Sequence, residues 1–544
     1  MSENNTTTTQ QQQMVRGTAW LTASNFLSRL LGAFYIIPWY AWMGTHAEQA
    51  NALFGMGNNI YAVFLLISTA GIPVAPAKQV SKYNALGQEE TSYHLLRKIL
   101  KLTSILGLIF AAIMYLGSPL LAAWSGGGED LVRVMKSLSW ALLIFPSMSV
   151  LRGFFQGFNN LKPYAMSQIA EQIIRVIWML LTAYIIMNIG SGDYVNAVVQ
   201  STFAAFIGMI ASVLVLVVFL WREGKWQAIF AGNTNDVTVD TQALILETIK
   251  EAIPFIITGA AIQLFQIVDQ MSFINTMTSF TSYSNKDLQI LYAFLSSNPN
   301  KITMILVSIA TAIAGAGIPL LTENFVNKDK KAAAQLVVNN LQMLWMVLFP
   351  ALVGAIILAE PIYTLFYGAP SNTALWLFVG ALIQVIFLAL YSLLAPMLQA
   401  LFEPRKAILY FVYGLVVKIV LQIPFIYVFQ AYGPLISTAI GLAVPIVLMY
   451  RRIHEVTGFN RQGLRRSILL MTLLALIMGV VVAIAAYGLH FAISPTTRLG
   501  SVVYIALVGA IGVLVYGFLT LATHLLDKLI GTRAKTLRQK LHLP

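Results

Sequence analysis

The chain has 544 residues, of which 58% are hydrophobic and only 10% are charged, and its mean hydropathy is +0.75. A soluble domain carries about 25% charged residues, so this composition excludes a soluble protein and predicts an all-α polytopic membrane protein. The absence of cysteine excludes disulfides, thiolate metal sites and a cysteine nucleophile, and the net charge of +13 needs no nucleic-acid partner, because cytoplasmic loops of membrane proteins collect Lys and Arg.

Residues 1–16 are polar and mostly of low complexity, which indicates a disordered cytosolic tail without the apolar region of a cleavable signal peptide. Apolar runs of about 20 residues, the length that crosses the hydrocarbon core, then predict about fourteen spans. The first six are 17–42, 53–76, 98–123, 134–158, 163–188 and 194–221; the next six are 252–279, 299–322, 335–359, 372–400, 405–430 and 432–451; and two more follow at 467–491 and 500–526.

These spans predict two lobes of six helices, an N-lobe at 17–221 and a C-lobe at 252–452, joined by a cytoplasmic linker at 222–251. A cytoplasmic loop at 453–466, a helix pair at 467–526 and a basic cytosolic tail at 527–544 follow. With the amino terminus inside, and with residues at span ends assigned to the adjoining connections, 25 of the 34 Lys and Arg residues fall in cytoplasmic segments, 5 in external connections and 4 deep within spans. This alternation predicts that both termini are cytoplasmic.

The two lobes contain matching residues in the same order. The sequence Ala-Gly-Ile-Pro at 70–73 in span two recurs at 316–319 in span eight. Gln156 matches Gln399, and Arg175 matches Lys418, each pair being 243 residues apart. Six spans per lobe give both lobes the same orientation, and transporters built from such parallel repeats bind their cargo between them.

Six charged residues lie deep inside predicted spans, away from the span ends. A cation in hydrocarbon costs several kcal/mol, roughly 2.5–3.5 by insertion measurements, so it normally faces a wet cavity or a partner. Four of the six are basic, which leaves two positive charges in surplus and favours an anionic cargo. The basic residues are Arg29, Arg152, Arg175 and Lys418, and the acidic residues are Glu171 and Asp269.

Arg29 and Arg152 are candidates for phosphate contacts, because the rigid donor fork of a guanidinium matches phosphate oxygens. Arg29 shares a face of span one with Asn25 and lies too deep to reach the membrane surface easily. Its alternative role is that of a structural arginine bound to carbonyl groups. Arg152 shares a face of span four with Gln156, and its alternative is a side chain that extends to the lipid headgroups.

Glu171 and Arg175 lie at positions i and i+4 of span five, which predicts an ion pair within the helix. The alternative is a pair that opens when cargo phosphate competes for Arg175. Asp269 in span seven is either a proton or sodium site or the counter-ion of Lys418. Gln399 in span ten joins Gln156 and Asn25 as a predicted polar cavity residue.

The sequence contains no signal for catalysis. The six histidines are scattered, mostly near the ends of spans, so they predict no metal cluster, and there is no P-loop sequence. We therefore predict a protein that is not an enzyme and that has no metal or cofactor. Coupling to the membrane potential or to a monovalent cation is the open alternative.

A set of motifs in chain order resembles a known family. The set comprises Ser28-Arg29-Leu30-Leu31-Gly32, the sequence at 70–73 with the basic segment after it, Arg152-Gly153 with Gln156-Gly157, and the stretch from Pro163 to Arg175. Together these motifs resemble the MOP transporter superfamily. Within it, the chain is similar over nearly its whole length to the fourteen-span MurJ-type lipid II flippases and the stage V sporulation protein B relatives of Gram-positive bacteria.

The resemblance implies two six-helix lobes in a V shape around a cationic cavity, with spans thirteen and fourteen forming a lipid-facing groove. It also implies export of undecaprenyl-diphosphate-linked peptidoglycan precursor (lipid II) from the inner to the outer leaflet of a bacterial plasma membrane. Arg29 matches the cavity arginine of the family's first helix. The chain departs from the family because spans two and eight contain no arginine, and because Lys418 lies in span eleven, where some sodium-binding relatives have an acidic group.

We therefore predict a lipid II flippase of alternating-access type that binds the diphosphate with Arg29, Arg152 and Arg175. The alternatives are a flippase for another polyprenyl-linked oligosaccharide of capsule or teichoic type, a multidrug or cation antiporter of the same superfamily, and a membrane scaffold for cell-wall assembly. The expected partners are the anionic lipid-linked precursor, the bilayer and the cell-wall synthesis machinery, and no nucleic acid.

Overall fold

The structure is a computed structural model that describes residues 20, 24, 27, 28, 30–32, 34–68, 80, 87–158, 160–230, 253, 256–491 and 493–525. Two predicted site residues, Asn25 and Arg29, lie outside the described residues, as do the repeat motif at 70–73 and both predicted tails. Within the described ranges the chain is helical and contains no β-strand, in agreement with the predicted all-α fold class.

Helices occupy the predicted spans in order, and we number them accordingly. The first group is α1 Ile36–Met43, α2 Ala47–Ser68, α3 Glu89–Ser125, α4 Gly128–Gly157, α5 Leu161–Tyr184 and α6 Tyr194–Arg222. The second group is α7 Ala261–Phe280, α8 Asn298–Val326, α9 Lys330–Ile357, α10 Asn372–Ala400, α11 Pro404–Phe429 and α12 Gly433–Thr457. The last two are α13 Arg461–His490 and α14 Arg498–Ala522, and shorter helices connect some of these elements at Lys225–Phe230, Asn285–Tyr292 and Ala359–Tyr367.

Eleven helical segments among the described residues are long and apolar enough to cross a membrane. Two of them cover at least part of two predicted spans: Leu30–Ser68 includes the turn Gly44–His46, and Pro404–Thr457 includes the turn Gln430–Tyr432. The polar helix α7 is not one of the eleven. These segments are compatible with fourteen spans, and the number itself stays a prediction.

Side-chain caps define where several helices begin. At the start of α6, the Asp193 Oδ1 accepts hydrogen bonds from the backbone N–H groups of Val195 and Asn196, at 2.9 and 3.2 Å. The capping residues of α10, α13 and α14 accept a backbone hydrogen bond in the same way; they are Ser371, Asn460 and Thr497. Each cap provides an acceptor for a backbone N–H of the first helical turn, which has no acceptor within the helix itself.

The chain forms two compact units. The amino-terminal unit runs to Asn275 and includes Ser284–Ile290, and the carboxy-terminal unit consists of Thr276–Tyr283 and the chain from Leu291 onward. The boundary falls inside α7, whereas the sequence grouped the whole of span seven with the second lobe.

Polar side chains explain why the first part of α7 belongs to the amino-terminal unit. Gln270 is fully buried. Its Nε2 donates to the Met56 carbonyl at 3.2 Å and to the Ser125 hydroxyl at 3.0 Å, and its Oε1 accepts from Asn59 at 3.2 Å. Asn275 Nδ2 donates to the Trp124 carbonyl at 2.6 Å. These bonds attach α7 to α2 and α3, because separating the helices would leave buried amide groups without hydrogen-bond partners.

Close helix contacts within each unit depend on small residues. A Cβ atom on Gly208 of α6 would lie 2.7 Å from the Glu171 carbonyl oxygen of α5. In the carboxy-terminal unit, a Cβ on Gly414 of α11 would overlap the Gly441 carbonyl of α12, and one on Gly317 of α8 would overlap Asn340 of α9. Glycine therefore lets these helix pairs approach closely, as is common between membrane helices.

Candidate anion site

Arg152 lies at the centre of a buried polar cluster in the amino-terminal unit. Its side chain extends from α4 and is only 8% exposed. The Nη2 group donates to Glu171 Oε2 at 2.7 Å and to the Ser212 hydroxyl at 2.9 Å, and Nε donates to the Ser167 hydroxyl at 3.0 Å. The guanidinium also lies 5.4 Å from the centre of the Tyr164 ring. Arg152 thus connects α4 with α5 and α6.

Glu171 is paired with Arg152 of the preceding helix and not with Arg175 of its own helix. The predicted pairing within α5 is corrected accordingly. The physical reason is that Arg152 offers a buried, charge-assisted hydrogen bond, whereas an i,i+4 pair on a helix surface contributes only about 0.2–0.5 kcal/mol. The sequence did contain the relevant signal, since Tyr164, Ser167 and Glu171 share one face of α5.

Arg175 is half-buried on α5. It makes no ion pair and no hydrogen bond with any described residue. The hydroxyl groups of Tyr35 on the span-one helix and of Tyr61 on α2 lie within electrostatic range of its charge. Neither tyrosine was predicted from the sequence, because an aromatic residue in an apolar span gives no signal of its own. Arg175 is therefore a partly buried cation whose donors are not engaged by the part of the chain that the structure describes.

Lys418, the repeat partner of Arg175, has a different environment. It is fully buried on α11. Its Nζ donates to the Pro434 carbonyl at 3.1 Å, the Ser437 hydroxyl at 3.0 Å and the Thr438 hydroxyl at 2.6 Å. These three oxygens all belong to the beginning of α12 and carry no charge. Lys418 thus joins α11 to α12 inside the carboxy-terminal unit.

The other predicted site residues that the structure describes are Gln156, Gln399 and Asp269. Gln156 is exposed on α4, whereas its repeat partner Gln399 is 7% exposed on α10. Asp269 is half-buried in the part of α7 that belongs to the amino-terminal unit. Its choice between a cation site and a counter-ion role stays a prediction. Among the described residues, no group of three or more His, Asp or Glu side chains is arranged to hold a metal ion.

An apolar groove lies in the carboxy-terminal unit between α9, α13 and α14. Its volume is about 520 Å³. Glycines on α9 and α14 leave it open, because a Cβ on Gly354, Gly509 or Gly517 would meet no atom within 4 Å. Its walls include Met346, Pro350 and Gly354 of α9, Val482 of α13, and Gly512 and Tyr516 of α14. An apolar groove of this size between membrane helices suits a hydrocarbon chain.

Comparison with known proteins identifies the family. The family model described as polysaccharide biosynthesis protein matches residues 14–325. The lipid II flippase MurJ of Bacillus subtilis (strain 168) is 33% identical to this chain over 538 residues, which cover 96% of this chain and 97% of the relative. The chain belongs to the MurJ family. The family predicted from the motifs is thus confirmed.

Solved structures agree with the MurJ fold. A lipid II flippase MurJ in an inward closed conformation superposes with a TM-score of 0.66 at 16% identity, over 92% of this chain and 97% of that structure. An inward-facing multidrug resistance MATE family transporter of the MOP superfamily gives a TM-score of 0.61 at 15% identity, over 79% and 96%. At these identities the likeness concerns the fold alone, which this chain shares with both solved proteins.

Proposed function

We propose that this MurJ-family protein moves lipid II, an undecaprenyl-diphosphate-linked peptidoglycan precursor, from the inner to the outer leaflet by alternating access. The 33% identity to a lipid II flippase over nearly the full length of both chains supports this substrate. The proposed location is the bacterial plasma membrane, and the distribution of Lys and Arg supports an orientation with both termini in the cytoplasm. The proposed partners are the lipid-linked precursor and the cell-wall synthesis machinery.

The observation that carries the proposal is that Arg175 is partly buried but makes no ion pair or hydrogen bond with any described residue. A cation at this depth is expensive unless it has a partner or a wet cavity, and its potential carboxylate partner on the same helix is bound by Arg152. No described residue accepts a hydrogen bond from the donors of Arg175, and a guanidinium is well suited to bind the diphosphate of the cargo. Arg29 keeps its predicted role as a second diphosphate contact.

Arg152 has a different part in this proposal from the one suggested by its sequence context. Its Nε and Nη2 groups already donate to Glu171, Ser167 and Ser212. We propose that Arg152 holds Glu171 away from Arg175 and so keeps Arg175 available. Direct contact between Arg152 and phosphate would require at least part of this buried cluster to open.

The groove between α9, α13 and α14 is proposed to hold part of the polyprenyl chain. Its walls are apolar, so a hydrocarbon chain can bind there without any polar group losing its hydrogen-bond partner. The resemblance to the family implied a lipid-facing groove at spans thirteen and fourteen, and the contribution of α9 extends that surface. The polar headgroup and the hydrocarbon chain would thus be bound by different parts of the protein.

Depletion of the protein is expected to make lipid II accumulate on the inner leaflet, and an Arg175→Gln variant is expected not to reverse this accumulation. Loss of a charge-assisted contact to phosphate corresponds to roughly 10- to 100-fold weaker binding. Leaflet-resolved quantification of lipid-linked precursors in depleted cells measures both effects. An Arg222→Gln variant, which changes an exposed arginine at the end of α6, is the matched control and should restore transport.

The same experiment distinguishes the alternative substrates. Accumulation of a capsule-type or teichoic-type lipid-linked precursor, with lipid II distributed normally, would assign the protein to that other substrate. Normal distribution of every polyprenyl-linked precursor would contradict the flippase proposal as a whole.

A Gly509→Leu substitution is expected to slow transport by filling the groove. The leucine side chain would project into open space, because a Cβ at Gly509 meets no atom within 4 Å, so the fold should be unaffected. Transport of undecaprenyl-linked substrate in proteoliposomes should fall several-fold, with unchanged thermal unfolding. The matched control is Gly488→Leu on α13, where a Cβ also meets no atom within 4 Å but which lies outside the groove; equal transport by both variants would remove the groove from the proposal.

A further inference from the structure

Tyr61 is a buried tyrosine of α2 whose hydroxyl has no hydrogen-bond partner among the described residues. The residue is only 4% exposed. Buried hydroxyl groups nearly always have a partner, because an unsatisfied donor carries the cost of its lost hydration. A tyrosine at this position therefore incurs a cost that a phenylalanine would avoid, and this cost calls for an explanation.

The surroundings of Tyr61 are charged. The charges of Arg175 and Glu171 both act on its hydroxyl. The Glu171 carboxylate is bound to Arg152 and is not bonded to the tyrosine. The hydroxyl thus lies in the field of a cation and a carboxylate without being bonded to either.

Helix register places Arg175 on the face of α5 that meets the first helix of the unit. The Ser24 hydroxyl donates to Gln168 Oε1 at 3.1 Å, and a Cβ on Gly32 would lie 3.7 Å from Gln172 Nε2. Gln168, Gln172 and Arg175 follow at i, i+4 and i+7, so they share one face of α5. This face of α5 therefore meets the first span, and the buried Tyr61 hydroxyl of α2 lies within electrostatic range of the Arg175 guanidinium on it.

We propose that the Tyr61 hydroxyl is a further, uncharged donor of the anion site formed by Arg175, and that it donates a hydrogen bond to a diphosphate oxygen of the bound cargo. A phenol is neutral and rigid, so it adds a directed contact to an oxyanion without adding charge to the empty site. The cargo oxygen would supply the acceptor that the described residues do not. This inference rests on the proposed function, since the diphosphate is the ligand of both groups.

The test uses the purified full-length protein in nanodiscs and two probes, undecaprenyl diphosphate and undecaprenol, whose binding is followed by native mass spectrometry. A Tyr61→Phe variant should bind undecaprenyl diphosphate about tenfold more weakly than the wild type, and undecaprenol equally well. Its thermal unfolding temperature should be unchanged or higher, because the substitution removes an unsatisfied hydroxyl. Tyr413→Phe is the control: this tyrosine of α11 is 47% exposed and does not line the groove, so its substitution should leave the binding of both probes unchanged.

The possible outcomes separate the role of Tyr61 from the proposed function. A wild-type protein that shows no preference for undecaprenyl diphosphate over undecaprenol would contradict the proposed function itself. A wild type that prefers the diphosphate, with Tyr61→Phe binding it equally tightly, would overturn only the role of Tyr61. A lower unfolding temperature for Tyr61→Phe would also overturn that role, because it would mean that the hydroxyl has a structural partner in the empty protein.

Discussion

An Arg152→Gln variant is expected to lose transport, and the double variant Arg152→Gln, Glu171→Gln is expected to regain it. Without Arg152, the carboxylate of Glu171 lies one turn from Arg175 on the same helix, and the two side chains are positioned to pair. That pair would withdraw Arg175 from the cargo. In the double variant Glu171 is neutral, so Arg175 remains available although Arg152 is absent.

Thermal stability and transport can be measured separately in the single and double variants of Arg152 and Glu171. Removing one member of a buried, hydrogen-bonded ion pair costs about 3–5 kcal/mol, so Arg152→Gln should also unfold at a lower temperature. The double variant leaves two amides in place of two charges and should recover much of that loss. Thermal unfolding of the purified protein and flipping of lipid II in proteoliposomes measure the two properties.

The restoration is the decisive measurement. If Arg152 touches the cargo diphosphate itself, as its sequence context suggested, then the double variant folds normally and still does not transport. Lys225→Gln is a suitable control, because it breaks an ion pair of 2.7 Å between Lys225 and Glu223 near the end of α6. Such a pair near the surface contributes about 0–1 kcal/mol, so that variant should be normal in both measurements.

Helix positions were predictable because they depend on local composition. The sequence predicted spans at 372–400 and 194–221, and the helices are α10 Asn372–Ala400 and α6 Tyr194–Arg222. In both cases a long apolar run ends at polar or capping residues, and neither feature needs tertiary information. The unit to which α7 belongs was less predictable, since it depends on which partners Gln270 and Asn275 find.

The ion pairs of the site were less predictable than the helices. The i,i+4 spacing on α5 predicts a pair between Glu171 and Arg175. It contains no information about Arg152, which belongs to α4 and is placed beside Glu171 by the tertiary structure. A local rule worth a few tenths of a kcal/mol is overridden by a buried contact with several donors and acceptors. The general expectation that intramembrane charges have partners was sound; the identity of the partner required the structure.

The sequence repeat predicts which positions of the two units correspond, but it does not predict which residues surround each position. Arg175 and Lys418 occupy matching positions, yet Arg175 is half-buried opposite Gly208 of α6, whereas Lys418 is fully buried against Ser437 and Thr438 of α12. Glycine has no side-chain acceptor for a cation, whereas the hydroxyls of Ser437 and Thr438 both accept a hydrogen bond from Lys418. The difference between the units therefore comes from the neighbouring helix, not from the position of the charge.

A Lys418→Ala variant is expected to be strongly destabilised, and Lys418→Met much less so. Alanine leaves a cavity in a fully buried site, which for a long side chain costs about 2–5 kcal/mol. Methionine preserves most of the volume, and swaps that conserve volume usually cost less than about 1.5 kcal/mol. It also removes the cost of burying an ammonium group, which offsets part of the lost bonding.

The polar groups left behind by methionine have other partners. The Ser437 hydroxyl is within 2.6 Å of Gln422 Oε1 and 3.0 Å of the Pro434 carbonyl, and the Thr438 hydroxyl can bond a carbonyl one turn earlier on α12. Thermal unfolding of both variants, beside Ile419→Ala at an exposed neighbouring position, measures the difference. Equal destabilisation by alanine and methionine would mean that the hydrogen bonds of the ammonium group, and not packing, hold α11 against α12. A stable Lys418→Met protein that transports slowly would instead mean that the charge of Lys418 is needed for transport and not for the fold.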